Sequence, residues 1–327
     1  MTPASGSDIG EELRTAFGRD RVLEHAPLAP WTTFKVGGPA DYLLLARSND
    51  DVLTAARLAA GACVPLTVLG GGSNVLVSDA GVRGLVVCVR SSTISLLPPG
   101  RVRADAGVTI NGLVRWTITH GLAGLEEWAG TPGTVGGAIF GNAHFRGRDI
   151  GDLVDRVLLA GGGRIQEVMS ADMEFAYDYS RLHRTREVVL AADFRVRPGD
   201  PEILRQAARA SLAYRKCTQP LALPSAGCIF QNPDPSRDRL PDDMPWSAGA
   251  LVDRAGLKGA VHGGARVSPT HGNFIVNEGQ ATAGDVRALI ERCREEVRAR
   301  FGVMLRDEIV CLGFERAPGL EAAGGED

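Results

Sequence analysis

No run of 18 or more apolar residues occurs in the 327-residue chain, so no segment has the length and character of a membrane-spanning helix. A basic surplus is also missing. The formal net charge is −3, whereas a nucleic-acid surface needs a basic face. Neither nucleic acid nor membrane is therefore expected as a partner. The N-terminal MTPASGSDIGEELR has no basic segment leading into an apolar one, and no secretion signal is expected. The six cysteines (63, 88, 217, 228, 293, 311) lack C-x-x-C and Cys/His metal spacing. No metal site is expected from them, and reduced thiols in a cytoplasmic protein are the expectation. No Gly-Lys-Ser/Thr phosphate loop and no G-x-G-x-x-G ahead of a helix is present, which removes the commonest nucleotide motifs. Internal repeats and low-complexity tracts are absent as well.

What remains is an ordinary globular composition, 44% hydrophobic and 23% charged, long enough for roughly two or three compact domains. The class is α+β with mixed or antiparallel sheets. DYLLLA (41–46) reads as a buried strand, and SNDDVLTAARLAAGA as a helix capped by Ser48 or Asn49 and ended by Gly61. PLTVLGGGSNVLVSD reads as strand, glycine loop, strand. Residues 84–115 are β-like, NGLVRWTITHGLAGLEEWAG is helical to Gly121 or Gly124, and strands return at 154–168 and 187–197. A helix follows the Pro/Gly break in PGDPEILRQAARASLAYRK, and a domain boundary is placed near residue 200. TAGDVRALIERCREEVRARFG carries a capping box at Thr282 and Asp285 and a helical core face: Val286, Leu289, Ile290, Cys293, Val297 and Phe301. The expected organisation is a disordered 1–10, a first region 11–199 in two parts (11–88 and 89–199), a second domain 200–316 and a disordered tail 317–327.

The 41 glycines exceed the roughly 7% average and they cluster. LGGGSN (69–74) sits between apolar β-like flanks and exposes several backbone N–H groups in one concavity, which suits a pyrophosphate. A simple glycine hairpin accounts for it equally well. WAGTPGTVGGAIFGNA (128–143) has five glycines and a proline in sixteen residues. It is expected to be neither helix nor strand interior, and as a loop it is costly in entropy unless a ligand orders it. Two such loops point to an extended phosphate-bearing cofactor, and a flavin supplies the hydride chemistry that no side chain can. In PSAGCIFQNP (224–233), a loop leading into a short strand, Cys228 is either a small buried hydrophobe or a proton-bearing group aimed at a substrate.

Seven segments, in one order, resemble the UDP-N-acetylmuramate dehydrogenases, also called UDP-N-acetylenolpyruvoylglucosamine reductases. They are TTFKVGGPA (32–40), LGGGSNVLVSDAGVRGLVV (69–87), GLEEWAGTPGTVGGAIFGNA (124–143), QPLALPSAGCIFQNP (219–233), AGALVDRAGLKG (248–259), VSPTHGNFIVN (267–277) and FGVMLRDEIVCLG (301–313). The resemblance covers roughly residues 30–314 and looks like the subgroup lacking an inserted substrate loop. It implies a vanillyl-alcohol-oxidase/PCMH-type FAD domain followed by a C-terminal α+β substrate domain. It also implies NADPH as co-substrate, a UDP-sugar as substrate, and a role in peptidoglycan synthesis. The implied chemistry is hydride delivery to an enolpyruvyl ether, then protonation of the carbanionic intermediate by a positioned acid. Carried over by position, Glu308 falls on a catalytic glutamate, while Asn232 and His271 fall on substrate-contacting residues. Arg215, Lys216 and Lys258 are candidate partners for the diphosphate. Gly70, Gly71, Gly72, Ser73 and Asn74, with Thr131, Pro132, Gly133, Thr134, Val135, Gly136 and Gly137, would line the FAD phosphates.

Three departures stand out. Cys228 occupies the position of the family's proton-donating serine. FAYDYS (175–180) places Asp178 where the family has a catalytic arginine, and NAHFRG (142–147) brings in His144 and Arg146. A carboxylate facing a developing enolate is repulsive, about 4 kcal/mol for unit charges about 4 Å apart at an effective dielectric of about 20. Arg146 is the expected compensating cation, with His144 and Arg181 also nearby in sequence. A thiol with an ordinary pKa of about 8.5 is a stronger acid than an alcohol, so cysteine is an acceptable replacement for serine. Two alternatives stay open: a paralogous flavin reductase acting on another sugar nucleotide or enol ether, and a non-catalytic sugar-nucleotide-binding protein. Oligomeric state is not readable from the sequence.

Overall fold

The structure is a computed structural model and describes residues 9–314. The segments 1–8 and 317–327, expected to be disordered, lie outside the described residues, whereas Ile9 and Gly10 already belong to a helix, Ile9–Phe17. That helix and Asn49–Gly61 pack beside a four-stranded mixed sheet. Its strands run in the order Val22–Pro27, Pro39–Ala46, Val82–Val89, Leu66–Leu69, with only the first pair antiparallel. Asn49–Gly61 starts where expected: the Ser48 hydroxyl accepts from the Asp51 amide, and the Asp51 carboxylate accepts from the Ser48 amide.

A second, antiparallel sheet has five strands in the order Arg164–Met169, Val154–Gly161, Val188–Arg195, Arg101–Asp105, Ile94–Leu97. One apolar core joins the two sheets, with Leu44, Leu85 and Val87 from the first meeting Val102, Val157 and Phe194 from the second. A separate core lies in the C-terminal part around Phe230, Leu251, Val267, Ile275 and Leu289. Phe34, Val36 and Leu76 from the first part are buried in that same core. The helix Ala283–Phe301 carries the expected Thr282/Asp285 capping box, buries Cys293, and ends at Gly302 in the left-handed region (φ 70°).

Four local expectations differ. Residues 135–140 of the glycine-rich stretch form a short helix, Val135–Phe140. Tertiary packing overrides propensity there: Val135, Ala138 and Ile139 are buried, and a Cβ on Gly136 would sit 3.0 Å from that of Ala106. The β-like reading of 84–115 stops at Asp105, because Ile110–Thr119 is a helix capped by the Thr109 hydroxyl. Cys228 and Phe230 do not begin a strand, but make single bridges to Phe274 and Asp307. Finally, a boundary near residue 200 would cut a helix off from its partners. Pro201–Thr218 buries Leu204 in the first core, and its Ser211 hydroxyl donates to the Glu127 carbonyl at 2.6 Å. The helix therefore packs with the first region, and the C-terminal part contributes to the second core from Ala226 onward.

Candidate active site

The two glycine-rich stretches meet face to face. A Cβ on Gly70 would lie 2.4 Å from the Thr134 hydroxyl, one on Gly71 2.6 Å from the Gly133 Cα, and one on Gly133 2.5 Å from the Ser73 hydroxyl. Gly72 has φ +63°, and a side chain there would strike the Trp31 carbonyl. Glycine is thus required for the loops to interlock. The Arg90 guanidinium supports the first loop by donating to the Gly70 carbonyl (3.0 Å) and stacking over Trp31.

Within this cradle the Thr134 hydroxyl is buried and has no hydrogen-bond partner, although Thr134 occupies a helix N-cap where it could have bonded the helix itself. A buried orphan hydroxyl above bare glycine backbone fits a phosphate-bearing cofactor. Two residues expected to line the phosphates contribute differently. Val135 turns into the core, and the Val135 and Gly136 amides already donate to the carbonyls of Val108 and Ala106. Thr131 is buried, Pro132 is exposed, and Gly137 lies beside Thr134.

Hydrogen bonds connect the cradle to a second cluster. The Asn74 side-chain amide donates to the Glu308 carbonyl (3.1 Å), and the Val310 amide donates to the Asn74 carbonyl (2.9 Å). Thr33 links the Gly72 carbonyl to the Ser225 carbonyl, three residues before Cys228. The Cys228 loop is clamped by buried Asn273: its side chain both accepts from the Phe230 amide (2.9 Å) and donates to the Phe230 carbonyl (2.7 Å). Asn273 and Arg90 were not singled out in the sequence. Only the placement of Asn273 inside THGNFIVN could have pointed to it.

Cys228 and Glu308 are adjacent, since the Glu308 amide donates to the Ile229 carbonyl at 2.8 Å. Burial, reinforced by the charges of Glu308 and Asp178, pushes the Cys228 thiol well above the ordinary thiol range. The expectation of an ordinary thiol acidity is corrected by this surrounding. Burial also pushes the Glu308 carboxyl up to about 8, with the Asp178 charge adding to the rise and His144 opposing it.

Asp178 lies in the same place. One of its oxygens is 3.0 Å from the Nδ1 of His144, and the other is buried without a partner. Burial opposes protonation of His144, but its hydrogen bond to Asp178 and the nearby carboxylates outweigh that and raise its pKa. His144 also packs against Tyr177, whose hydroxyl accepts from the Asn232 amide (3.2 Å). The expected compensating cation, Arg146, is elsewhere: it is exposed, with its guanidinium over the Tyr214 ring at 4.9 Å. The hydrogen-bonding partner of Asp178 is His144 instead. Arg181 pairs with Glu187.

Arg215 is buried beneath the cluster. It donates to the Thr131 hydroxyl (2.7 Å) and lies 3.6 Å over the Phe145 ring. Burial lowers its pKa to about 10, so it stays cationic at neutral pH. Lys216 is exposed on the same helix, and Lys258 pairs with Asp253 at 2.7 Å. The Asn232 side chain accepts from the Ala248 amide at the start of the helix Ala248–Arg254. His271 stands against Gly249 of that helix, and burial and the Lys258 charge lower its pKa.

Comparison with known proteins matches this two-part arrangement. Residues 40–165 match the FAD binding domain family, and residues 219–312 match the C-terminal domain of UDP-N-acetylenolpyruvoylglucosamine reductase. The chain is 37% identical over 311 residues to the UDP-N-acetylenolpyruvoylglucosamine reductase of Heliobacterium modesticaldum, covering 94% of this chain and 96% of that protein. Against the enzyme of the same name from Synechococcus sp. WH7803 it is 40% identical over 301 residues, covering 90% and 94%. The crystal structure of the Thermus caldophilus UDP-N-acetylenolpyruvylglucosamine reductase superposes with a TM-score of 0.75 at 33% identity, covering 89% of this chain and 99% of that one. With both halves matched and relatives aligned end to end, the chain belongs to the UDP-N-acetylenolpyruvoylglucosamine reductase family of FAD-binding oxidoreductases.

Proposed function

We propose that the protein reduces UDP-N-acetylglucosamine enolpyruvate to UDP-N-acetylmuramate, with FAD as cofactor and NADPH as co-substrate, in peptidoglycan synthesis. The observation carrying this reading is the hydrogen-bonded link from the glycine cradle, through Asn74, to the proton-bearing pair Cys228 and Glu308.

In this reading Gly70–Asn74 with Gly133 and Thr134 would hold the FAD diphosphate, the orphan Thr134 hydroxyl being free to donate to it. Bound FAD supplies the hydride that reduces the enolpyruvyl double bond. Cys228 then delivers a proton to the substrate carbon left carrying negative charge. Its raised pKa keeps it in the proton-bearing form, and a carbanion is basic enough to take that proton. Glu308, protonated up to about pH 8, avoids adding a second negative charge beside Asp178. Arg215 contributes a fixed positive charge that Cys228 senses. Asn232, His271 and Lys258, grouped around the helix Ala248–Arg254, are assigned to the UDP-sugar, with Lys216 as an outer diphosphate contact.

A second reading, a paralogue acting on a different enol ether, is favoured by one observation: the acidic Asp178 beside Glu308. One anaerobic experiment separates them. NADPH is added to the FAD-loaded protein and the flavin bleaches. UDP-N-acetylglucosamine enolpyruvate is then added. Return of flavin colour with formation of UDP-N-acetylmuramate supports the first reading. Bleaching without return favours the second, and a protein that takes up no flavin refutes both.

A further inference from the structure

We propose that His144, Asp178 and Glu308 form a binding site for one divalent metal ion. These three side chains each bring a ligating atom to within 4.8 Å of the others. A first-row divalent ion about 2.1 Å from ligands at right angles, as in octahedral coordination, needs those atoms about 3.0 Å apart. The His144–Asp178 pair, at 3.0 Å, already meets that spacing, and a Glu308 carboxylate oxygen stands within 4.8 Å of both.

An independent observation points to a missing cation. The Asp178 side chain is only 10% exposed, and its second oxygen is buried with no donor. A buried carboxylate oxygen costs free energy unless a hydrogen or a cation reaches it. Among the described residues, no Lys or Arg forms an ion pair with Asp178 or Glu308. Arg146 lies over Tyr214, Arg181 pairs with Glu187, and Arg215 is held by Thr131 and Phe145. One imidazole and two carboxylates are a donor set suited to Mn²⁺ or Fe²⁺, and three protein ligands leave coordination positions open. The cysteine spacing gave no sign of this site because Cys228 is not one of its ligands.

The consequence for chemistry rests on the reductase reading above. An ion held here supplies the positive charge that Asp178 removes and can take up the substrate's carboxylate in an open position. Glu308 acts as a ligand in the loaded form, and Cys228 remains the proton-bearing group. The step balances without any redox change at the metal: the ion only bridges anions, and hydride and proton come from the sources already named.

The test uses the FAD-loaded protein after dialysis against a chelator, with Mn²⁺ alone as the probe. Mn²⁺ is chosen because it prefers oxygen and nitrogen ligands, which keeps the six free cysteines out of the measurement. Free Mn²⁺ is followed by its electron paramagnetic resonance signal during titration. The expected result is one saturable equivalent, weakened at least about tenfold in His144→Gln and in Asp178→Asn. His144→Gln can keep a hydrogen bond to Asp178 while losing the imidazole, so it reports ligation rather than packing. Unchanged flavin absorbance in each variant confirms an intact fold. Absence of a saturable equivalent overturns the site, and so does binding that survives both substitutions, which would place the ion elsewhere, for instance on the FAD diphosphate. Neither result touches the flavin bleaching and return of colour that test the reductase reading.

Discussion

Cys228 is held by its neighbours more tightly than its position in a loop suggests, and that determines what replacing it does. Asn273 fixes the chain on either side of Phe230, so the thiol is presented by a rigid segment. Removing it by Cys228→Ala should leave flavin bleaching by NADPH intact and slow the return of colour with substrate by about 10²–10⁴-fold, the usual worth of a positioned acid. Cys228→Ser should fall within about tenfold of wild type, because burial has already raised the thiol's pKa and narrowed its advantage over a hydroxyl. Stopped-flow measurement of the second half-reaction decides it, and normal reoxidation in the alanine variant would remove Cys228 from the mechanism. Glu308 gives a pH prediction with a definite sign. Its folded pKa, about 8, lies above the ordinary value of 4.5, so the folded protein holds a proton that the unfolded chain releases. Stability from this group is complete below about pH 4.5 and is lost as pH rises to about 8. Urea denaturation of chelator-dialysed protein should show that loss in wild type and a flatter profile in Glu308→Gln; equal profiles would count against it. Single residues of this kind were legible in PSAGCIFQNP and LRDEIVCLG. Their environment was not, since it depends on Asp178 and His144 arriving from 34 residues apart, and a contact across that distance leaves no periodic signal.

Among the elements, the helices that announced themselves by caps and apolar spacing are where they were expected, because capping chemistry is local. Ala283–Phe301 is the clearest case, yet part of its N-terminus is completed from far away. The Asp79 carboxylate accepts from the Ala283 amide (2.8 Å) and the Gly284 amide (2.9 Å), across 204 residues or more. Asp79→Ala should cost about 1 kcal/mol of stability, read as a lowered denaturation midpoint with unchanged slope. The short helix Val135–Phe140 was not legible for the opposite reason. Its glycines oppose helix formation locally, and only burial against Ala106 and Val108 reverses the preference. The interlocked loops give a sharper prediction. Gly71→Ala puts a methyl group 2.6 Å from backbone, which cannot yield as a side chain would, so FAD affinity should drop more than about tenfold. Gly61→Ala, with nothing within 4 Å of the added carbon, should bind FAD normally. Equal flavin retention after desalting in both variants would show that the loops do not form the cradle.

At the scale of the whole molecule, the two parts share more than a covalent link. The strand Val310–Leu312 leaves the C-terminal part and pairs in parallel with Val75–Val77, immediately after the glycine loop. Phe34, Val36 and Leu76 pass the other way, into the C-terminal core. Exchange of buried residues in one direction and a strand in the other couples the folding of the two parts. Any ligand bound to the cradle therefore stabilises the C-terminal part as well. At a free FAD concentration about 100 times its dissociation constant, the gain is about 2.7 kcal/mol for the whole cooperative unit. Wild type should accordingly melt in one transition that moves up with added FAD. Val310→Pro removes the amide that donates to the Asn74 carbonyl and places a ring in the parallel pair, while leaving every cradle residue in place. It should weaken flavin retention and split the calorimetric melt, the lower step becoming insensitive to FAD. A variant that retains flavin and melts in a single FAD-dependent step would mean that the cradle is organised by the glycine loops alone. In that case the strand at 310–312 would serve only to carry Glu308 to the site.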